Sequence, residues 1–228
     1  MMPAMSERGV LVIVSSPSGA GKTTLTKRLL AEFPNIEFSV SYTTRERRKN
    51  ESDGRDYHFV NVDKFEDMVR NQEFAEHAYV HGNRYGTAKG PVEQALIAGR
   101  DIIFDVDWYG GAALAAIWPQ DSLKIFILPP SVETLDKRLR ERATDDAKVI
   151  ERRVNKAHEE LEHYNEYQHL IVNDDVDRAY HLLRAIYLIR KYGVVDRTDV
   201  SYPLASLASD VAGANRDALA HALKLVGR

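Results

Sequence analysis

The chain has 228 residues, 44% of them hydrophobic, which is enough for one core with small inserted lobes or at most two domains. A formal net charge of −3 argues against a general nucleic-acid binder, which needs a strong basic excess. The chain has no cysteine, which excludes disulfides and cysteine-held zinc; no apolar run approaches the roughly 20 residues of a membrane helix, so the expected location is cytoplasmic.

Residues 1–9 lack the cationic and apolar blocks of a signal peptide and read as a lead-in. Residues 10–14 form a short, continuous, β-branched apolar run that ends at Ser/Pro/Gly punctuation, the signature of a strand buried on both faces. A glycine loop follows, then helical spacing over 23–33. Residues 39–88 are polar, tyrosine-rich and strand-like, with one helix over about 64–70 that Asp63 and Glu66 are placed to cap. Helical spacing returns over 91–98, with Gly99 as its C′ residue. Buried-type strands over 101–106, 123–128 and 170–172 alternate with helical stretches over 110–117 and from 132, where Ser131 is the expected N-cap. This alternation predicts a mostly parallel α/β sheet.

Residues 135–167 are highly charged, rich in arginine and helical, and are expected to form a mobile lid. Residues 39–88 are an inserted lobe on a core made of 10–38, 89–134 and 168–192. In the 193–228 extension, Leu204, Leu207, Ala208 and Val211 form one helical stripe and Leu219, Ala222, Leu223 and Val226 another. Gly213 is expected to separate them. Packing of this extension on its own core is favoured over a subunit contact.

Ser16-Pro17-Ser18-Gly19-Ala20-Gly21-Lys22-Thr23 nearly matches the G-x-x-x-x-G-K-[ST] phosphate loop, with serine at the first glycine position, and stands in the required strand–loop–helix context. Gly19 and Gly21 let several backbone N–H groups face one anion, and the following helix adds its positive end. Lys22 is placed for the β- and γ-phosphates of a nucleotide and Thr23 for Mg²⁺. An ordinary glycine turn is the weaker reading.

Arg45 and Arg48, three apart with Arg47 beside them, suit a phosphate, because arginine forks bind its oxygens through paired charge-assisted bonds. A solvated basic loop is the plainer alternative. Tyr57 and Tyr85 have hydroxyls suited to phosphate, although either alone reads more simply as packing. Glu76, Asp105 and Asp107 are nearby carboxylates. A carboxylate suits guanine, whose N1–H and 2-amino group are adjacent donors, and discriminates against adenine. Glu76 alone also reads as a surface residue, whereas Asp105 and Asp107 end a buried strand, where parallel sheets collect ligands. The histidines, His77 and His81 included, lack metal-ligand spacing for their expected elements.

Taken in order, the phosphate loop, Ser41–Arg48, Gly54–Tyr57, Gly82–Thr87, Asp105-Val-Asp107-Trp and Ile171–Asp175 resemble the guanylate kinase family over about residues 10–192. The resemblance implies a P-loop nucleoside-monophosphate kinase with a five-stranded parallel core sheet, an inserted mixed β/α GMP-binding lobe and a helical lid. It implies transfer of the γ-phosphoryl of Mg-ATP to GMP, and to dGMP, in purine nucleotide metabolism. By resemblance the ATP site runs from Ser16 to Thr24, with Asn173 near the adenine or the lid arginines. Arg45, Arg48, Tyr57 and Tyr85 hold the GMP phosphate; Ser41, Glu76, Thr87 and Asp107 surround guanine; Asp105 lies near the metal and the reacting phosphates. Lys22, Arg45, Asp105 and the arginines Arg138, Arg142 and Arg153 form the expected catalytic set. Lid and lobe are expected to close over both nucleotides. ATP and GMP are the expected partners of a monomer or homodimer, with no nucleic acid and no membrane.

The sequence departs from the family pattern at Arg84, where tyrosine is usual, at Ala88, where serine is common, and at Tyr109, where glutamine is usual. A kinase of a phosphorylated ribose would keep the loop without needing the guanine-facing set. A non-catalytic binding module would typically degrade the loop, which is intact here.

Overall fold

The computed structural model describes residues 8–80, 82–141, 147–195 and 201–227; Arg142 and His81 therefore lie outside the described residues. In chain order, β1 (Leu11–Ser15) leads to α1 (Lys22–Glu32), β2 (Ile36–Phe38), β3 (Tyr42–Thr43), β4 (His58–Phe59), α2 (Val62–Arg70), β5 (Phe74–Val80) and β6 (Asn83–Ala88). Then come α3 (Lys89–Ile97), β7 (Asp101–Asp105), α4 (Trp108–Ile117), β8 (Ser122–Leu128), α5 (Val132–Glu141) and α6 (Ala147–Leu161). A 3₁₀ turn over Glu162–Glu166, β9 (His169–Val172), α7 (Val176–Tyr192) and α8 (Leu204–Leu225) complete the described chain.

A five-stranded parallel sheet has the order β2-β7-β1-β8-β9. Every residue of β1 is buried, as a doubly covered central strand requires. The neighbours of β1 come from later in the chain on both sides, so its carboxyl end is a topological switch point, where doubly wound sheets bind ligands. The second sheet is mixed, in the order β4-β3-β6-β5, with β3 parallel to β4 and antiparallel to β6.

The chain divides into two compact units, one of residues 8–11, 35–104 and 112–122 and the other of 12–34, 105–111 and 123–227 among those described. In the first, Phe65, Met68, Phe74 and Ala88 are buried together, joining α2 to the mixed sheet. In the second, Phe126, Leu128 and Leu170 of the strands are buried with Leu135 and Leu139 of α5, Val154, Ala157 and Leu161 of α6, and Ala218 and Ala222 of α8. The apolar minority of the arginine-rich 135–167 segment is thus core.

Several element boundaries differ from those expected. Asn61, not Asp63, caps α2; its side chain accepts the Lys64 N–H at 2.8 Å. Helix α3 starts at Lys89, because Pro91 is harmless in a first turn whose N–H groups have no helical partner. Gly99 is its C′ residue as expected, and closes the helix in a Schellman turn: Gly99, at φ 73°, donates to Leu96 O and Arg100 N to Ala95 O. Ser131 caps α5 as expected, accepting the Thr134 N–H at 3.1 Å.

Gly213 does not break the extension, since α8 runs through it as one helix. Its buried face is Leu204, Leu207, Val211, Ala218 and Ala222, while Leu219 and Leu223 are exposed. Of the second expected stripe, Ala222 is buried and Val226 packs against the core, whereas Leu219 and Leu223 face solvent and Ala218 completes the packed face. Among the described residues, no helix is long and apolar enough to cross a membrane.

Candidate active site

The phosphate loop joins β1 to α1. Gly19 has φ 91° and Gly21 φ 97°, left-handed values that favour glycine. Ser16 needs no such conformation, because Gln72 is the only non-glycine with positive φ among the described residues. Serine is therefore unstrained at the position where the motif usually has glycine. The loop opens onto a cavity of about 290 Å³ lined by Ser16 to Gly19, Gly21 to Thr24, Asp107 and Glu160.

Three charged or polar groups meet at the mouth of the loop. The Lys22 ammonium forms an ion pair with the Asp105 carboxylate and donates to Val106 O at 3.1 Å. Thr23 Oγ1 donates to the other Asp105 oxygen at 3.4 Å. Asp105 thus ends β7 with one oxygen on the loop lysine and one on the loop threonine. Asp107 accepts the Gly110 N–H at 2.9 Å, capping α4. It belongs to the other compact unit from Ser41, Glu76 and Thr87.

Downstream side chains hold the backbone of the loop. Glu160 Oε2 accepts the Ser18 N–H at 3.1 Å, Arg138 Nη1 donates to Gly19 O at 3.3 Å, and Asn173 Nδ2 donates to Ala20 O at 2.7 Å. Asn173 is buried, and a Cβ on Gly21 would lie 2.2 Å from its Nδ2. Asn173, expected near the adenine or the lid arginines, and Arg138, expected at the transferring phosphoryl, both bond the loop backbone. Arg153 is an exposed residue of α6.

The remaining expected residues lie on the strands of the mixed sheet or in the segments that adjoin them. Thr43, fully buried, donates to Arg84 O at 3.0 Å and accepts the Arg45 N–H at 3.1 Å, fixing the turn that projects Arg45. The Arg45 guanidinium bonds Glu51 Oε1 at 2.7 Å and Glu46 O at 2.8 Å, and lies 5.3 Å over the Tyr57 ring. The rings of Tyr57 and Tyr85 meet edge-on at 5.9 Å. Burial pushes the Tyr57 hydroxyl pKa up, keeping it a neutral donor, whereas the Arg45 bond draws the Glu51 carboxyl down.

Glu51 also accepts the Arg48 N–H at 2.8 Å, so one carboxylate organises both arginines. The sequence reading missed it. The signal was available in a glutamate three residues after Arg48, within reach of a turn. Register pairs Glu76 with Thr87 across β5 and β6, and Thr87 Oγ1 donates to Glu76 Oε1 at 2.6 Å. Ser41, half-buried, accepts the His58 N–H on its carbonyl at 2.9 Å.

The departures from the family pattern are also placed. Arg84 pairs with Glu66 of α2 at 2.6 Å and lies over Tyr79, on the face of β6 opposite Tyr85 and Thr87. Ala88 is buried against Phe65, Met68 and Phe74. Tyr109 is exposed, edge-on to Trp108.

A central strand, a glycine loop and a Lys22–Asp105–Thr23 cluster, on a parallel sheet with an inserted mixed lobe, define a P-loop kinase of the nucleoside-monophosphate type. The sequence model of the family described as guanylate kinase matches residues 8–188. The guanylate kinase of Paramagnetospirillum magneticum is 49% identical over 185 residues, 81% of this chain and 86% of the relative. That of Maricaulis maris is 51% identical over 179 residues, 78% of this chain and 82% of the relative. The crystal structure of guanylate kinase from Anaplasma phagocytophilum superposes with a TM-score of 0.63 at 30% identity, covering 90% of this chain and 96% of that one. This chain belongs to the guanylate kinase family.

Proposed function

We propose that this protein transfers the γ-phosphoryl of ATP to GMP, giving ADP and GDP. The observation that carries the acceptor is the Glu76–Thr87 pair in the same small sheet as the Arg45, Tyr57 and Tyr85 cluster. Arg45 and the two tyrosines supply donors for a phosphate. Thr87 fixes one oxygen of Glu76 and so orients a carboxylate toward the paired N1–H and 2-amino donors that guanine has and adenine lacks.

Phosphoryl transfer needs alignment and charge neutralisation more than covalent help. Lys22 exchanges its Asp105 partner for phosphate oxygens, and the loop N–H groups hold the β-phosphate. Arg45 and Arg48 hold the acceptor phosphate, whose attacking oxygen is already anionic near neutral pH, so no general base is needed. Arg138, Arg142 and Arg153 complete the positive charge around the transferring group.

Thr23 Oγ1 and Asp105 Oδ2, 3.4 Å apart, are hard oxygen donors that would hold Mg²⁺. When bound, the ion neutralises charge on the phosphates.

The test is ADP production from Mg-ATP with GMP, AMP, CMP, UMP or ribose 1,5-bisphosphate offered separately. Turnover is expected with GMP, and Glu76→Gln is expected to lower the preference for GMP over AMP by about tenfold or more. Turnover with the sugar phosphate alone would overturn the acceptor assignment, and unchanged discrimination in Glu76→Gln would remove Glu76 from it.

A further inference from the structure

Glu160 lies outside the expected site. It follows Val154 and Ala157 and precedes Leu161 on α6, at the spacing of the helix face that enters the core, and only 8% of its surface is exposed. A carboxylate on such a face is held against its preference for water, and burial pushes its pKa up. Its contacts are few: the Ser18 N–H at 3.1 Å on Oε2 and the Lys156 ammonium at 3.8 Å on Oε1, with Lys22 and Asp107 as the other charged groups that act on it. It lines the same cavity as the phosphate loop.

We propose that Glu160 is a positioning residue for ATP: by accepting the Ser18 N–H it sets the path of the phosphate loop that cradles the triphosphate. The inference rests on the reading of this loop as the ATP site. Ser18 to Ala20 is held at three successive residues by groups from α6, α5 and the end of β9, and Glu160 is the one acceptor among them. The other two bind carbonyl oxygens, which point away from an anion in any cradle made of N–H groups. Glu160 therefore decides where one N–H of the loop points.

The negative charge of Glu160 is itself unfavourable beside phosphates. Its benefit to ATP is therefore that of a hydrogen-bond acceptor at a fixed reach rather than that of a charge. This separates three substitutions. Glu160→Gln keeps an acceptor oxygen at the same reach and removes the charge. Glu160→Asp keeps the charge and falls one methylene short. Glu160→Ala removes both.

The experiment measures the Kd for ATP by calorimetry, with KM for ATP and for GMP from steady-state turnover, in the full-length chain. Expected is ATP binding in Glu160→Gln within threefold of wild type or tighter, and binding about tenfold weaker in both Glu160→Asp and Glu160→Ala, with KM for GMP within about twofold throughout. Glu160→Gln as weak as Glu160→Ala, Glu160→Asp like wild type, or Glu160→Ala like wild type would each overturn the proposal. If Glu160→Ala does not fold, the contrast between Gln and Asp decides. A wild-type protein that binds no ATP would instead bring down the functional reading on which the proposal rests.

Discussion

Replacing Gly21 with alanine tests how tightly the phosphate loop is built. Two costs arise. Gly21 has φ 97° and ψ 13°, and a left-handed conformation costs an alanine about 1–2 kcal/mol. The new Cβ would also lie 2.2 Å from Asn173 Nδ2, so that side chain must move and give up its 2.7 Å bond to Ala20 O. Leaving that buried pair unmade costs a further ~1–3 kcal/mol, so Gly21→Ala should destabilise by about 2–5 kcal/mol. Asn173→Ala alone removes the same hydrogen bond and should cost ~1–3 kcal/mol. In the double variant the clash is gone and the hydrogen bond is lost only once. Its destabilisation should fall short of the sum of the two single variants by about 1–3 kcal/mol. Urea unfolding of the four proteins, compared by midpoint at unchanged slope, gives the quantity directly. Effects that add to within about 0.5 kcal/mol would refute the reasoning and show that Asn173 is not what the Cβ meets.

Three further predictions concern other parts of the molecule. Lys22→Ala should lower kcat by about 10²–10³-fold in a GMP-dependent ADP assay while moving the urea midpoint by no more than about 1 kcal/mol in stability, because Lys22 serves charge rather than core. Gly213→Ala should stabilise by about 0.5–1 kcal/mol, read as a rise in the thermal midpoint. Gly213 lies inside α8, and the nearest atom to an added Cβ is Arg216 Nη2 at 4.0 Å. Burial holds His169 below its ordinary value of 6.5, with a buried Nδ1 that has no hydrogen-bond partner. The unfolded chain then binds the proton more readily, so this contribution to stability is complete above pH 6.5 and is lost as pH falls below it. His169→Gln should flatten the fall in urea midpoint between pH 7.5 and 5.5; an identical pH dependence in the variant would remove His169 as its source.

The core strands were legible because a continuous β-branched run such as Val10–Val14 has few other ways to bury itself. The phosphate loop was legible because its glycines answer a backbone demand that other residues meet poorly. Residues that act through neighbours were harder to read. Asn61 and Asp63 are equally good caps on paper, and only the chain direction at α2 chooses between them. Glu160 is one acidic residue within the charged 135–167 segment, although its spacing from Ala157 and Val154 places it on the buried stripe. In α8, leucine outweighs alanine on any hydropathy scale, so the stripe was drawn through Leu219 and Leu223. Close packing within the cluster instead favours the small residue Ala218 beside Ala222, the one member of that stripe that is fully buried. Glu51, which holds Arg45 and Arg48, left only a faint trace because its role depends on a turn. The acceptor lobe was read from resemblance more than from pattern, since tyrosines and a glutamate on short strands have ordinary structural uses.

The position of α8 has a consequence for genetics. The family match ends at residue 188, so a premature stop codon shortly after Tyr192 would leave every matched residue encoded. It would nevertheless remove Ala218 and Ala222 from the cluster that buries Leu135, Leu139, Val154 and Leu161, and with them the support of the helices that carry Arg138 and Glu160. Such an allele would retain its phosphate loop and its acceptor residues. Its defect would appear first as heat sensitivity and poor nucleotide affinity, and a screen limited to the matched region would overlook it.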